Sequence, residues 1–227
     1  MANRLSYIFL NSRIIILGIV MAMPAAAITM SGEVRDSDEA PVPDVVVTAM
    51  PVTGRTTTSM GGKPVTVRLD QQGREFVPHV LAVRMGTPVI FPNSDDIQHH
   101  VYSFSSTKRF EIKLYKNMPD KPIVFDKPGV VAIGCNIHDW MLGYIFVTEA
   151  PHVTKTDTSG QWALEVPEGE YRLSFWHPDA DIPDTLPSET VQTPINDLLH
   201  HSIKLKTRRQ TGKPPGSIQT QGYSDGF

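Results

Sequence analysis

Cys135-Asn136-Ile137-His138-Asp139-Trp140-Met141 is the stretch on which the reading of this chain turns, because Cys135 is the one cysteine among 227 residues. A thiolate, an imidazole and a thioether spaced three residues apart are soft and borderline metal ligands. A mononuclear copper site combines one Cys with two His in a trigonal set and adds a weak, long axial bond to Met. The heptapeptide supplies three of those four groups. The missing histidine has to come from elsewhere, and His99-His100 stand 36 and 35 residues upstream. A site of this kind implies one-electron transfer.

The N-terminus bears on the cysteine. Arg4 and Arg13 give a basic start, no acidic residue precedes Glu33, and Ile14 to Met23 form a short apolar run before Pro24-Ala25-Ala26-Ala27. That is the three-part pattern of a secretory signal peptide, with cleavage after Ala27, and it implies a periplasmic protein. A spanning helix needs ~20 apolar residues, so no stable membrane anchor is expected; an uncleaved N-terminal anchor is the alternative. Exported proteins pair their cysteines, and an odd one requires an explanation. A buried inert thiol or an intermolecular bridge would explain Cys135 alone. Metal ligation also explains His138 and Met141.

Removing Arg4 and Arg13 with the leader takes the formal charge from −3 to −5. A mildly acidic chain without a dense basic patch is a poor nucleic-acid binder, so no nucleic-acid partner is expected. The cluster Lys204, Lys206, Arg208, Arg209, Lys213 reads as a solvated tail. About 200 residues suffice for one large or two small domains.

The chain after the leader reads as all-β: short runs of Val, Ile, Thr and aromatics, punctuated by Gly and 19 Pro, without sustained helical periodicity. A first strand pair spans residues 28–34 and 45–50. The polar stretch from Gly54 to Gly62 marks a boundary. Alternation then recurs at Val65-Leu69, within Phe76-Phe91 around a turn at Met85-Gly86, and at Phe110-Leu114, Ile123-Phe125, Val130-Ile133 and Gly143-Thr148. About seven strands imply a β-sandwich or barrel. After Pro151 a hairpin follows, with Trp162, Leu164 and Val166 facing Tyr171, Leu173 and Phe175 across Pro167-Glu168-Gly169-Glu170. A closing strand is expected over residues 201–206, and residues 207–227 read as a disordered tail.

Two resemblances organise these segments. Gly32-Glu33-Val34 with Ala40-Pro41-Val42-Pro43-Asp44-Val45, and Thr156-Asp157-Thr158-Ser159-Gly160 with Val166-Pro167-Glu168-Gly169-Glu170-Tyr171, resemble the carboxypeptidase regulatory-like (transthyretin-type) β-sandwich. About a hundred residues separate the two motifs, which implies a second domain inserted at a loop tip, where insertions are best tolerated. Two modules in tandem are the alternative. The expected layout is a leader over 1–27, a discontinuous outer sandwich over 28–60 and 150–206, a central domain over 61–149, and the tail.

That central domain resembles the cupredoxins of the plastocyanin and amicyanin type, a Greek-key β-sandwich. The matching residues run in order: Phe76-Val77-Pro78, Val83-Arg84-Met85-Gly86-Thr87-Pro88-Val89, Phe91-Pro92-Asn93, His99, Phe125-Asp126-Lys127-Pro128-Gly129, then Cys135, His138, Met141 and Gly143. Cys-x2-His-x2-Met is the short, amicyanin-like loop. The resemblance implies a type 1 Cu(I)/Cu(II) centre held by His99, Cys135, His138 and Met141. It places the upstream ligand six residues after Asn93, at His99, and puts His100 where the family has Asn. Strand alternation alone leaves His99 and His100 open. Zinc also accepts Cys and His, but its structural sites want four strong ligands, and Met would be a poor fourth.

A site with three strong ligands and an axial Met has no open position for substrate, and metal catalysis needs one. The expectation is therefore a blue-copper electron carrier, not an enzyme. The resemblance to bacterial methylamine-utilisation-type proteins implies a dehydrogenase donor and a cytochrome acceptor. Copper delivery or storage, and a non-redox binding module with a structural metal, are the alternatives. Trp140 reads equally as docking surface or as packing under the loop. Asp95, Asp96 and Asp139 read as solvated loop charges with little effect on the metal. The remaining histidines, His79 in a strand run, His152 in a linker, His177, and His200-His201, read as structural.

Overall fold

The computed structural model describes residues 27–53, 65–181, 188–195 and 197–206. The leader as far as residue 26, the boundary stretch over 54–64 and the tail over 207–227 lie outside the described residues. Among the described residues there is no helix, and seventeen strands form the fold.

Ten strands build the central sandwich. Those after the first two of the chain, β1 (Ile28–Arg35) and β2 (Val46–Pro51), are β3 (Val67–Arg68), β4 (Asp70–Gln72), β5 (Glu75–Val77), β6 (Val80–Arg84), β7 (Thr87–Ile90), β8 (His99–Ser103), β9 (Phe110–Tyr115), β10 (Ile123–Phe125), β11 (Gly129–Cys135) and β12 (Leu142–Thr148). A five-stranded sheet runs in the order β6-β12-β11-β8-β9, a three-stranded one in the order β10-β7-β3, and β4-β5 form a hairpin. Alternation sorts the side chains. Along β11, Val131, Ile133 and Cys135 point inward, and they join Leu69, Phe76, Val89, Phe91, Val101, Phe125, Met141 and Ile145 in one core. Buried polar groups here are knotted together. Tyr115 donates to the Phe91 carbonyl at 2.6 Å, Gln71 donates to Tyr115, and burial pushes the Tyr115 hydroxyl up to about 12.

The second sandwich draws on both ends of the described chain. It contains β1, β2, β13 (His152–Lys155), β14 (Gln161–Val166), β15 (Glu170–Trp176), β16 (Ser188–Gln192) and β17 (Leu199–Ser202). β1 lies between β14 and β17, and β2 between β13 and β15. Their registers pair Ile28 with Val166 and Val46 with both Trp176 and Lys155. The core holds Met30, Val34, Val45, Val47, Trp162, Leu173 and Phe175. Buried Thr156 stitches the loop ends, donating to the Val42 carbonyl at 2.7 Å and accepting from the Val45 amide at 2.9 Å.

Several details depart from the sequence reading. β1 and β2, read as a strand pair, lie in different sheets, and so do β14 and β15, read as a hairpin: each connection carries the chain across the sandwich, so the apolar faces meet in the core instead of pairing by backbone. The linker assigned to His152 is strand β13, paired with Ala49 of β2. Residues 188–192, which lack apolar alternation, are edge strand β16, held by backbone pairing to β15. The closing strand ends at Ser202, after which Ile203 is buried and Leu205 makes a single bridge to Ala180. His79 is not within a strand: with Pro78 it forms the bend between β5 and β6.

The two sandwiches touch through a small apolar cluster of Val46 and Trp176 against Val80 and Phe146. Lys155 of β13 reaches across this junction, pairing with Asp44 and donating to the Val80 carbonyl.

Candidate metal centre

The site stands where β8 meets the loop between β11 and β12. Period-2 alternation puts His99, Val101 and Ser103 of β8 inward and His100 and Tyr102 outward. Cys135 ends β11 on the same inner face, opposite Val101. The six residues from Asn136 to Met141 then fold into a tight turn. The Met141 amide donates to the His138 carbonyl at 2.9 Å, and the Cys135 amide to the Met141 carbonyl at 3.3 Å. The Asn136 amide donates to the His100 carbonyl at 3.1 Å, tying the loop back to β8.

This arrangement converges three donor atoms. His99 Nδ1 lies 3.6 Å and His138 Nδ1 lies 3.8 Å from Cys135 Sγ. The ligand atoms of all three residues fall within 4.8 Å of one another. Donors bound at 2.0–2.3 Å around one ion with near-trigonal geometry sit about 3.7 Å apart, so the spacing fits a shared ion. A thiol carries one proton and can donate to only one imidazole, whereas two nitrogens stand nearly equidistant from this sulfur. His99 and Cys135 are buried and His138 is half-buried. Burial, then the neighbouring His99 and Arg74, hold the His138 imidazole below its ordinary pKa, favouring the neutral form that ligates. Among the described residues this is the one such group of three.

The loop before β8 aims His99. Its Nε2 lies 2.8 Å from Asp95 Oδ2. Asp95 also accepts from the Gly73 amide at 2.6 Å and the Arg74 amide at 2.9 Å, in the turn between β4 and β5. Burial alone would raise the Asp95 carboxyl; the His99 bond and the two amides outweigh it and hold the pKa below the usual value. Asp95 is therefore not a solvated loop charge, as the sequence suggested, but only 12% exposed and bonded to a site residue. The signal available in the sequence was its place four residues before His99. Asn93 braces the same loop, donating to the carbonyls of Ile97 at 2.8 Å and Tyr115 at 3.0 Å.

His100 is not part of the cluster: its Nε2 points outward, 2.9 Å from Glu111 Oε1. Met141 is buried in the same core as Cys135. Trp140 is half-buried, packed against that core and 5.2 Å from the His138 ring, while Asp96 and Asp139 are exposed. Among the other histidines, His200 pairs with Glu33, His201 stacks on Phe175, and His79 meets Tyr144 edge-on.

No family model matches the chain, and no curated protein does. Solved structures do. The Cu-containing nitrite reductase (NirK) from Thermus scotoductus SA-01 is 27% identical, with a TM-score of 0.37; the match covers 44% of this chain and only 25% of the enzyme. The purple cupredoxin from Nitrosopumilus maritimus is 22% identical over 36% of this chain and 99% of its own, with a TM-score of 0.30. A reduced Cu(I) amicyanin variant is 17% identical over 44% and 99%, with a TM-score of 0.34. Each of these likenesses is partial. This chain's own observations are a β-sandwich in the strand order given above and a His-Cys-His cluster set between β8 and the β11–β12 loop.

Proposed function

We propose that this protein is a periplasmic type 1 copper protein that carries single electrons between redox partners. The carrying observation is the convergence of His99 Nδ1, Cys135 Sγ and His138 Nδ1 at the edge of an apolar core. Met141, buried beside Cys135, is assigned as the weak axial ligand. Bound copper would supply the Cu(I)/Cu(II) couple. The chain supplies the rest: β8 and β11 fix two donors on paired strands, and the hydrogen-bonded turn fixes the third. A donor set held this firmly changes little between oxidation states.

Burial of His99, Cys135 and Met141 favours retention of the metal over the exchange that copper delivery needs. His138 is the donor nearest the surface. Ile137, 49% exposed, and Leu142 give its surroundings an apolar surface for a redox protein, such as a dehydrogenase donor or a cytochrome acceptor. We assign the strands flanking the central domain to a carboxypeptidase regulatory-like sandwich that carries it as an insertion. Absorption and spin-resonance spectra of the copper-loaded protein test the proposal. An intense thiolate-to-copper band and a reversible potential are expected, and Cys135→Ser should remove both. A colourless complex without a reversible potential refutes it.

A further inference from the structure

Asp95 is a part-buried carboxylate set against the donor set, and every partner that the structure gives it is a nitrogen. Oδ1 takes the Gly73 amide, and Oδ2 takes the Arg74 amide together with the His99 ring. A carboxylate only accepts, so the ring nitrogen facing it must carry the proton. In the neutral ring this leaves the lone pair of His99 on Nδ1, the atom 3.6 Å from Cys135 Sγ.

We propose that Asp95 is a positioning residue for the centre: it fixes His99 as the Nε2–H tautomer and biases the bound metal toward its more positive oxidation state. The second half of this inference rests on the copper reading above; the first does not. Both parts have a physical basis in the geometry. A carboxylate behind an imidazole raises the basicity of the ligating nitrogen and orients the ring. Its negative charge, largely withdrawn from water, attracts Cu(II) more than Cu(I). The two backbone amides hold the carboxylate in place, so the bias is built into the β4–β5 turn and does not depend on a mobile side chain.

Asparagine is the discriminating replacement. It keeps the shape but offers one acceptor oxygen to three N–H donors, and its amide nitrogen would confront one of them. Loss of such a partner typically costs 10–100-fold in metal affinity. If that loss falls on Cu(II), the potential rises by about 60–120 mV, at 59 mV per tenfold for one electron. Asp95→Asn should therefore raise the potential by this amount while the thiolate-to-copper band persists, and Asp95→Glu should recover most of the shift. An unchanged potential with the band intact overturns the charge bias. The tautomer is read without copper, from the ring-nitrogen NMR shifts of the apo wild-type protein. Protonated Nε2 is expected; protonated Nδ1 overturns the inference, and this readout decides it even if Asp95→Asn fails to fold. Absence of the band in the copper-loaded wild type would instead refute the copper reading and leave the tautomer result standing.

Discussion

Two glycines flank the ligand loop, and substituting each with alanine should have unequal effects despite their similar distance from the site. Gly143 follows Met141 by two residues, is buried on β12 and pairs with Ile133. A Cβ there would lie 2.9 Å from the Phe76 Cβ and 3.1 Å from its Cδ2. Carbon atoms prefer 3.5–4.0 Å, so a displacement of roughly 0.6 Å or more is required. Rotating the Phe76 ring relieves the second contact but not the first, because a Cβ moves only with its backbone. Strand β5 must shift, in a core that also holds Cys135 and Met141. Such overpacking costs about 1–3 kcal/mol. Restriction of the unfolded chain returns about 0.4–1 kcal/mol, so a net loss remains. Each kcal/mol lowers Tm by about 2–4 °C in a chain of this size. Gly134, adjacent to Cys135, meets only the far end of Tyr102, with Cζ and the hydroxyl at 3.1 Å. Tyr102 is half-buried and its tip can swing outward. Thermal melts of the two apo variants should therefore rank Gly143→Ala clearly below Gly134→Ala. Equal stabilities, or the reverse order, would refute the packing argument.

Replacing the upstream histidines one at a time should separate them: His99→Ala abolishes the copper spectrum and His100→Ala leaves it, as read by titration of the apo proteins with Cu(II). A pH prediction concerns the outer sandwich. Burial, the largest cause in each case, lowers the pKa of His152 and His201 from the ordinary 6.5. The unfolded chain then takes up protons before the folded one, so stability is full above 6.5 and is lost as pH falls below it. Urea midpoints at pH 7.5 and 5.5 should show this drop, and His201→Gln should shrink it; a midpoint that rises on acidification contradicts the assignment.

Much of the central domain was legible because its signals are local. Alternation at Val131, Ile133 and Cys135 marks an inward face, and the Cys-x2-His spacing closes in one turn. The choice between His99 and His100 was not settled by alternation, because in an isolated strand either face can be the inner one. Pairing of Cys135 with Val101 puts β8's odd-numbered side chains, His99 among them, on the thiol's face. Asp95 was misread for a related reason. Nothing local tells a loop carboxylate that it will meet two amides from a turn some twenty residues earlier. Strands β13 and β16 were missed because their order comes from long-range backbone pairing, not from apolar alternation.

The outer sandwich contributes to the site through β12, the strand that leaves the ligand loop. Its inward residues Ile145 and Val147 lie in the central core, and Phe146 on the opposite face packs on Trp176 of β15 with rings 5.1 Å apart. Tyr144 meets the same indole edge-on at 6.0 Å. A strand covered on both faces has little freedom to tilt, and β12 is the support on which the turn from Asn136 to Met141 closes. Its other support, β11, is paired on both edges, by β12 and by β8. The sulfur thus emerges from a strand locked in the sheet, and the loop returns to a strand packed between the two sandwiches. Lys155, joining Asp44 to the Val80 carbonyl, ties β6 on the far side of β12 to the same junction. The flanking segments, whatever else they bind, therefore stiffen the frame that holds His138 against Cys135.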